Sequence, residues 1–195
     1  MPAPAWRKIG LLLFIPSVVL AGSFKHVNHK HWGDSYDRLF KKYSKHYFGV
    51  GFDWRWFKAQ GIAESGLQPD AVSGSGARGI MQIVPATFNE IQLTNPGYLD
   101  VDDPQWNIAA AIYYDRRLYR RWSKLLPDRE LLNFTFASYN AGFSRIQRAR
   151  KRAGDEADST VRAWKRVAPY SPPETRKYVR RIRGLMQQTA GQGRS

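Results

Sequence analysis

The chain of 195 residues carries a formal charge of +15 and has a pI near 10.3. This length suits one compact domain, and the positive charge indicates an anionic partner, for which nucleic acid, acidic phospholipid and cell-wall polymers all qualify. The sequence contains no cysteine, which excludes disulfides, thiolate metal sites and lipidated cysteines. Composition therefore bounds the class of protein without choosing its partner.

The N-terminal segment predicts a cellular compartment. Two basic residues precede an apolar run over residues 9–20, and small residues follow at 21–23. This order is typical of a secretory signal peptide, here residues 1–22, and predicts an exported, periplasmic protein. The run is short for a membrane span of about 20 residues, although an uncleaved inner-membrane anchor through residues 9–21 is the alternative. Export argues against nucleic acid as the anionic partner.

The rest of the chain divides into three parts. Residues 23–50 are interpreted as a basic linker with a short helix near residues 34–47, and residues 51–190 as one domain followed by a tail at 191–195. Three closely spaced histidines lie in the linker, but no carboxylate or further histidine completes a ligand set, so no metal site is expected.

The domain reads as a succession of helices. Asp53 is a good N-cap, Pro85 suits a first turn, and Asp103-Pro104 opens a long helix that Pro127 breaks. Helices are predicted over residues 53–64, 85–92, 103–126, 128–139, 143–152 and 174–188. Because no segment alternates apolar and polar residues, strands are expected to be few or absent. The prediction is an all-α domain of about six to eight helices.

Glu64 is the first candidate for chemistry. It closes an apolar helix, with Ile62 and Ala63 before it and a Ser-Gly pair after it. A carboxyl at the rim of such a helix is poorly solvated, which raises its pKa toward the range useful to a general acid. Taken by itself, Glu64 is better explained as a solvated glutamate at a helix end.

Three further segments follow Glu64. Residues 73–83 form a glycine-punctuated loop that runs into an apolar stretch, where the amide of Gln82 suits sugar hydroxyls or N-acetyl groups. Residues 137–142 place Tyr and Asn beside a small-residue break. In the last predicted helix Glu174 and Tyr178 lie one turn apart on one face. Each segment alone is a weak indication.

Together these segments resemble the catalytic domain of the soluble lytic transglycosylases, which share the goose-type lysozyme fold. The resemblance covers roughly residues 50–188. Ile80 stands where the family usually has Leu, which is a mild departure, and Ser138 fills a variable position. The family's four motifs stand in order as Glu64-Ser65, Gly79-Ile80-Met81-Gln82-Ile83, Ala137-Ser138-Tyr139-Asn140-Ala141-Gly142 and Glu174-Thr175-Arg176-Lys177-Tyr178-Val179.

The resemblance implies a peptidoglycan lytic transglycosylase without metal or cofactor. Such an enzyme cleaves the MurNAc-β-1,4-GlcNAc bond and leaves 1,6-anhydroMurNAc ends, with Glu64 as both acid and base. Glu174 would hold Tyr139 or Tyr178 in place. The residues implied to bind substrate are Ser73, Met81, Gln82, Tyr139, Asn140 and Tyr178. The partners expected are glycan strands and, through the basic stretch at 145–183, the anionic envelope; the chain is expected to be a monomer.

The sequence leaves three alternatives open, the third of them remote. Most glycosidases use two carboxylates, and Asp70, six residues after Glu64, is the one second carboxylate that could support a hydrolytic muramidase. Asp102 and Asp103 are better explained as helix caps. A non-catalytic wall-binding component of the same fold is the second alternative. A nucleic-acid-binding protein is remote, because it requires that residues 1–22 not export the chain.

Overall fold

The computed structural model describes residues 25–154 and 163–187, and within them eight α-helices carry nearly all the regular structure. Their bounds are α1 Asp37–Phe48, α2 Arg55–Ser65, α3 Pro85–Gln92, α4 Pro104–Trp122, α5 Asp128–Ala141, α6 Phe143–Arg152, α7 Trp164–Val167 and α8 Pro173–Met186. The described residues contain no strand, only two isolated bridges, which pair Val72 with Arg78 and Arg78 with Ile83. The all-α prediction is confirmed.

Some predicted features lie outside this range. The predicted signal peptide and the tail at 191–195 are not among the described residues. Within the described ranges, no helix is both long enough and apolar enough to cross a membrane.

Local chemistry explains most helix ends. Asp103 accepts a hydrogen bond from the Gln105 N–H at 2.7 Å, and α4 begins at the following proline, as predicted. Gly66 ends α2 in the left-handed conformation with φ of 70°, which glycine adopts without steric cost. Asp128 is the first residue of α5 and follows Pro127 at the N-cap position. Asp53 accepts from the Arg55 N–H at 3.1 Å, so it caps α2 from just outside the helix.

The core is built around α4. This helix packs against α1 and α5, while α8 packs against α2 and α5. The apolar stripe of α4 is buried at Ile108, Ala111, Ile112 and Leu118, and each large aliphatic side chain stabilises the fold by about 1.5–3 kcal/mol. Trp122 ends the stripe and donates its indole N–H to Ser138 Oγ on α5 at 2.9 Å.

The segment before α2 belongs to the same folded unit. Val27 and Phe40 are fully buried, and the Val27 N–H donates to the Leu185 carbonyl of α8 at 2.8 Å. The buried Lys58 of α2 forms an ion pair with Asp37 of α1 at 2.6 Å. The stretch interpreted as a linker and short helix thus contacts α8 and also α2, the helix that carries Glu64.

Candidate active site

Glu64 lies in the last turn of α2, at the interface with α8. Residues 57–64 of α2 are buried in succession, and only 7% of Glu64 is exposed. Tyr178 of α8 donates its hydroxyl to Glu64 Oε1 at 2.5 Å. The buried position of Glu64 and its contact with Tyr178 agree with the prediction of a poorly solvated carboxyl.

Burial dominates the electrostatics of Glu64. It raises the pKa of the carboxyl to about 8, against the opposing effects of the Tyr178 hydrogen bond and the positive charge of Arg181. Arg181 follows Tyr178 by three residues on α8, so the two share a helix face, and its Nη1 donates to the Ala63 carbonyl at 3.4 Å. Glu64 therefore holds a proton at neutral pH and can donate it.

The glycine-punctuated loop is held against the end of α2. Ser65 donates its hydroxyl to the Ile80 carbonyl at 2.9 Å, directly beside Glu64. Ser73 is half-buried, and its Oγ accepts from the Ala77 N–H at 2.9 Å. The loop thus forms one wall of the region around Glu64.

Gln82 and Met81 build this wall mainly through structural contacts. Gln82 adopts a positive φ of 49°, and its side-chain Nε2 donates to the carbonyls of Ala71 and Gly79 at 3.0 and 2.9 Å. The side chain of Met81 is fully buried and packs against Gly61 of α2. A Cβ added at Gly61 would lie only 3.1 Å from the Met81 sulfur. Both residues shape the loop in this structure.

Asn107 of α4 joins the loop to the core. Its Oδ1 accepts from the Met81 N–H at 2.8 Å, and its Nδ2 donates to the carbonyls of Arg78 and Val101 at 2.9 and 2.8 Å. Gly79 has φ of +74°, and a Cβ there would lie 2.5 Å from Asn107 Nδ2. The loop can therefore follow this path only because residue 79 has no side chain.

Tyr139 and Asn140 connect α5 to both sides of the site. Tyr139 donates its hydroxyl to the Met81 carbonyl at 2.8 Å. Asn140 Oδ1 accepts from the Thr175 hydroxyl of α8 at 2.7 Å. Glu174, beside Thr175, is exposed in the first turn of α8. The structure thus brings Glu64, Tyr178, Tyr139 and Asn140 into one buried region, with Glu174 on the surface at its edge.

The other predicted carboxylates lie elsewhere. Asp70 is exposed in the loop after α2. Asp102 forms an ion pair with Arg78 at 2.5 Å and does not cap a helix, whereas Asp103 caps α4 as predicted. The carboxyl that the sequence interpretation missed is Asp115, which is fully buried in α4.

Sequence reasoning also missed several polar side chains. Arg181 could have been found from its three-residue spacing to Tyr178, and Gln60 from its four-residue spacing to Glu64. Asn107 and Asp115 carry no such local indication, because their partners come from distant segments.

A buried carboxyl whose raised pKa keeps it protonated at neutral pH, in contact with a tyrosine from a second helix, can act chemically as a general acid. The family model for the transglycosylase SLT domain matches residues 40–161. The chain belongs to this family.

The chain is also similar to curated relatives. It is 29% identical over 192 residues to membrane-bound lytic murein transglycosylase F of Shewanella oneidensis, covering 89% of this chain and 38% of that protein. It is 34% identical over 137 residues to the Marinobacter nauticus protein of the same name, covering 70% of this chain and 26% of that protein. The chain thus spans less than two fifths of the length of these relatives.

Two solved structures have a similar fold. The 70-kDa soluble lytic transglycosylase Slt70 of Escherichia coli matches with a TM-score of 0.63 at 25% identity, over 80% of this chain and 24% of that one. A 70-kDa soluble lytic transglycosylase in complex with bulgecin A matches with a TM-score of 0.61 at 26% identity, over 77% and 23%. The lysozyme-like helical fold expected from the resemblance is confirmed.

Proposed function

We propose that this chain is a peptidoglycan lytic transglycosylase that cleaves the MurNAc-β-1,4-GlcNAc bond with Glu64 as its acid and base. The observation that carries the proposal is the buried carboxyl of Glu64 in contact with the Tyr178 hydroxyl, with burial raising the pKa of the carboxyl to about 8. The family and the names of the relatives agree with this activity.

One carboxyl suffices for the proposed reaction. Glu64 donates its proton to the oxygen that links the two sugars, that bond breaks, and positive charge develops at C1 of MurNAc. The resulting carboxylate then removes the proton of the C6 hydroxyl of the same sugar, whose oxygen bonds to C1. The proton returns to Glu64 and no water is consumed, and the tethered nucleophile has a high effective concentration.

The neighbours of Glu64 support both halves of this cycle. The Tyr178 hydroxyl and the charge of Arg181 favour the carboxylate, while burial favours the acid. Glu64 therefore holds a proton before bond cleavage and accepts one afterwards without a second carboxyl. The hydrolytic alternative requires Asp70 to activate water, and its exposed position outside the buried region argues against it.

The remaining assignments follow from the proposed reaction. Substrate contacts are expected from the six residues named for this role in the sequence: Ser73, Met81, Gln82, Tyr139, Asn140 and Tyr178. Glu174, exposed in the first turn of α8, would hold Tyr139 or Tyr178 in place. Because the substrate lies outside the cytoplasm, the proposal includes export by residues 1–22 and a periplasmic or membrane-anchored location. It also includes a monomeric state.

The mass of the products tests the mechanism. Digested sacculi should yield muropeptides lighter by one water than hydrolysis products, which marks anhydro ends. Glu64→Gln should abolish release, whereas Asp70→Asn and the control Glu90→Gln should retain it. Reducing ends that disappear in Asp70→Asn would establish the hydrolase instead. Unchanged release by Glu64→Gln would show that Glu64 is not the catalytic acid.

A further inference from the structure

A second carboxyl lies buried near Glu64 and has no part in the proposed reaction. Asp115 of α4 has no exposed surface, and Gln60 of α2 donates Nε2 to its Oδ1 at 3.5 Å. Gln60 precedes Glu64 by four residues, so the two side chains share one face of α2. The contact between Gln60 and Asp115 therefore ties the helix of the catalytic acid to α4.

Two atoms of this contact lack partners. Gln60 Oε1 and Asp115 Oδ2 are both buried without a hydrogen bond. If Asp115 is ionised, both atoms are acceptors and cannot satisfy each other, and a buried unpaired acceptor costs stability. A proton on Asp115 Oδ2 supplies the one missing donor, and an acid facing an amide then forms two parallel hydrogen bonds.

The surroundings of Asp115 also favour the neutral acid. Burial raises the pKa of Asp115 well above its usual range, and the charge of Glu64 adds to the effect. The other titratable groups that interact with Asp115 are Tyr114 of α4, Tyr139 of α5 and Tyr178 of α8. None of these groups is a cation, so none of them favours the ionised form of Asp115 in the way that Arg181 favours the ionised form of Glu64.

We propose that Asp115 is a neutral carboxylic acid in a two-point hydrogen-bonded pair with Gln60, and that this pair positions α2 so that Glu64 stays against Tyr178. Asp115 is a positioning residue and exchanges no proton with the substrate. Its neutrality matters because a negative charge here would oppose the carboxylate form of Glu64, which must remove the C6 proton. This catalytic consequence rests on the proposed function, whereas the pair itself does not.

Asp115→Asn separates the charge of the side chain from its shape. Asn reproduces the two-point contact with the Gln60 amide but cannot ionise. Because the raised pKa belongs to the folded state, the wild type is favoured at low pH and loses that advantage as pH rises. The melting temperatures of Asp115→Asn and the wild type should be equal near pH 4. Above pH 4 the difference in favour of Asp115→Asn should grow by about 3–5 °C for each pH unit.

The opposite trend would overturn the proposal. If Asp115 were an ionised group held by favourable contacts, Asp115→Asn would become less stable than the wild type as pH rises. An infrared spectrum near neutral pH gives a direct readout. The spectrum is recorded in the Glu64→Gln background, which removes the acid band of Glu64. A carboxylic-acid C=O band should then be lost on adding Asp115→Asn and kept on adding the control Asp70→Asn, and a Glu64→Gln protein without that band would exclude the neutral acid.

A mutant cycle tests the pair itself. Gln60→Met should lower the melting temperature at every pH, because it leaves the acid without a partner, and adding Asp115→Leu should recover part of the loss. Additive losses would show that the two residues are not paired. If Asp115→Asn fails to fold, these variants still test whether Gln60 and Asp115 are paired.

The pH profile of glycan release tests the positioning role. In Asp115→Asn the alkaline limb set by Glu64 should stay within about 0.3 pH unit of the wild type, because a neutral acid has no charge to remove. A limb displaced to lower pH by about one unit would mean that Asp115 is charged in the active enzyme. If the wild type released no glycan, the melting and infrared results would still decide the pairing, so the two failures are distinguishable.

Discussion

Replacing Glu64 with Gln is expected to stabilise the fold at neutral pH while it abolishes glycan cleavage. The folded state raises the pKa of this carboxyl from 4.5 to about 8. A raised pKa means that the folded form is favoured below pH 4.5 and loses that advantage as pH rises to about 8. Glutamine has no such dependence, so the difference between the two proteins must grow with pH.

The magnitude follows from the distance between pH 7 and the unfolded pKa. This distance is about 2.5 pH units, and each unit is worth about 1.4 kcal/mol, which gives an upper limit of about 3.5 kcal/mol. The part of Glu64 that stays exposed to solvent and the altered contact with Tyr178 reduce this to about 2–3 kcal/mol. For a chain of this size the melting temperature should rise by about 5–10 °C.

Melting curves of the wild type and Glu64→Gln between about pH 4 and 8 provide the assay, with Glu90→Gln as the control for the substitution itself. The two curves should coincide near pH 4 and separate steadily above it. A difference that is the same at both ends of the range would refute the reasoning. So would a Glu64→Gln protein that is less stable than the wild type at pH 7.

Three further outcomes are expected. Tyr178→Phe removes a hydrogen bond that lowers the pKa of Glu64, so the alkaline limb of the rate profile should move up and the rate should fall by about tenfold. Gly79→Ala places a Cβ against Asn107 at a positive φ and should lower the free energy of unfolding in urea by about 2–4 kcal/mol. Gly74→Ala, where a Cβ meets open space, should change it little. Sedimentation of inactive Glu64→Gln with sacculi should decrease as salt rises from about 0.05 to 0.5 M, because the chain carries +15.

The helices could be predicted from the sequence because residues at or next to each helix end determine where it begins or stops. Pro85 and Asp103-Pro104 begin helices as expected, and Gly66 and Gly142 end them with positive φ. These ends depend on the conformational limits of Pro and Gly and on one short side chain, all within a few residues. The order of the helices could therefore be predicted without knowledge of their packing.

The contacts of the site depend on distant segments and could not be predicted in this way. The bond between Tyr178 and Glu64 spans 114 positions, and the bond between Asn107 and Met81 joins a helix to a loop 26 positions away. Asp115 and Gln60 are polar residues at positions that a helical pattern would assign to solvent or core with equal ease. Only the packing of α4 against its neighbours shows that both are buried.

The structure also changes the reason for assigning Glu64 as the acid. A helix end in the sequence indicated only a poorly solvated carboxyl, whereas the structure shows burial opposed by Tyr178 and Arg181. Without burial Glu64 would lose its proton before it could act as an acid, and without the two opposing groups it would hold the proton too tightly to donate it readily to the glycosidic oxygen. A neutral Asp115 preserves this balance, because a second negative charge would shift it toward the acid form. The single-carboxyl mechanism therefore requires the surrounding helices as much as it requires Glu64.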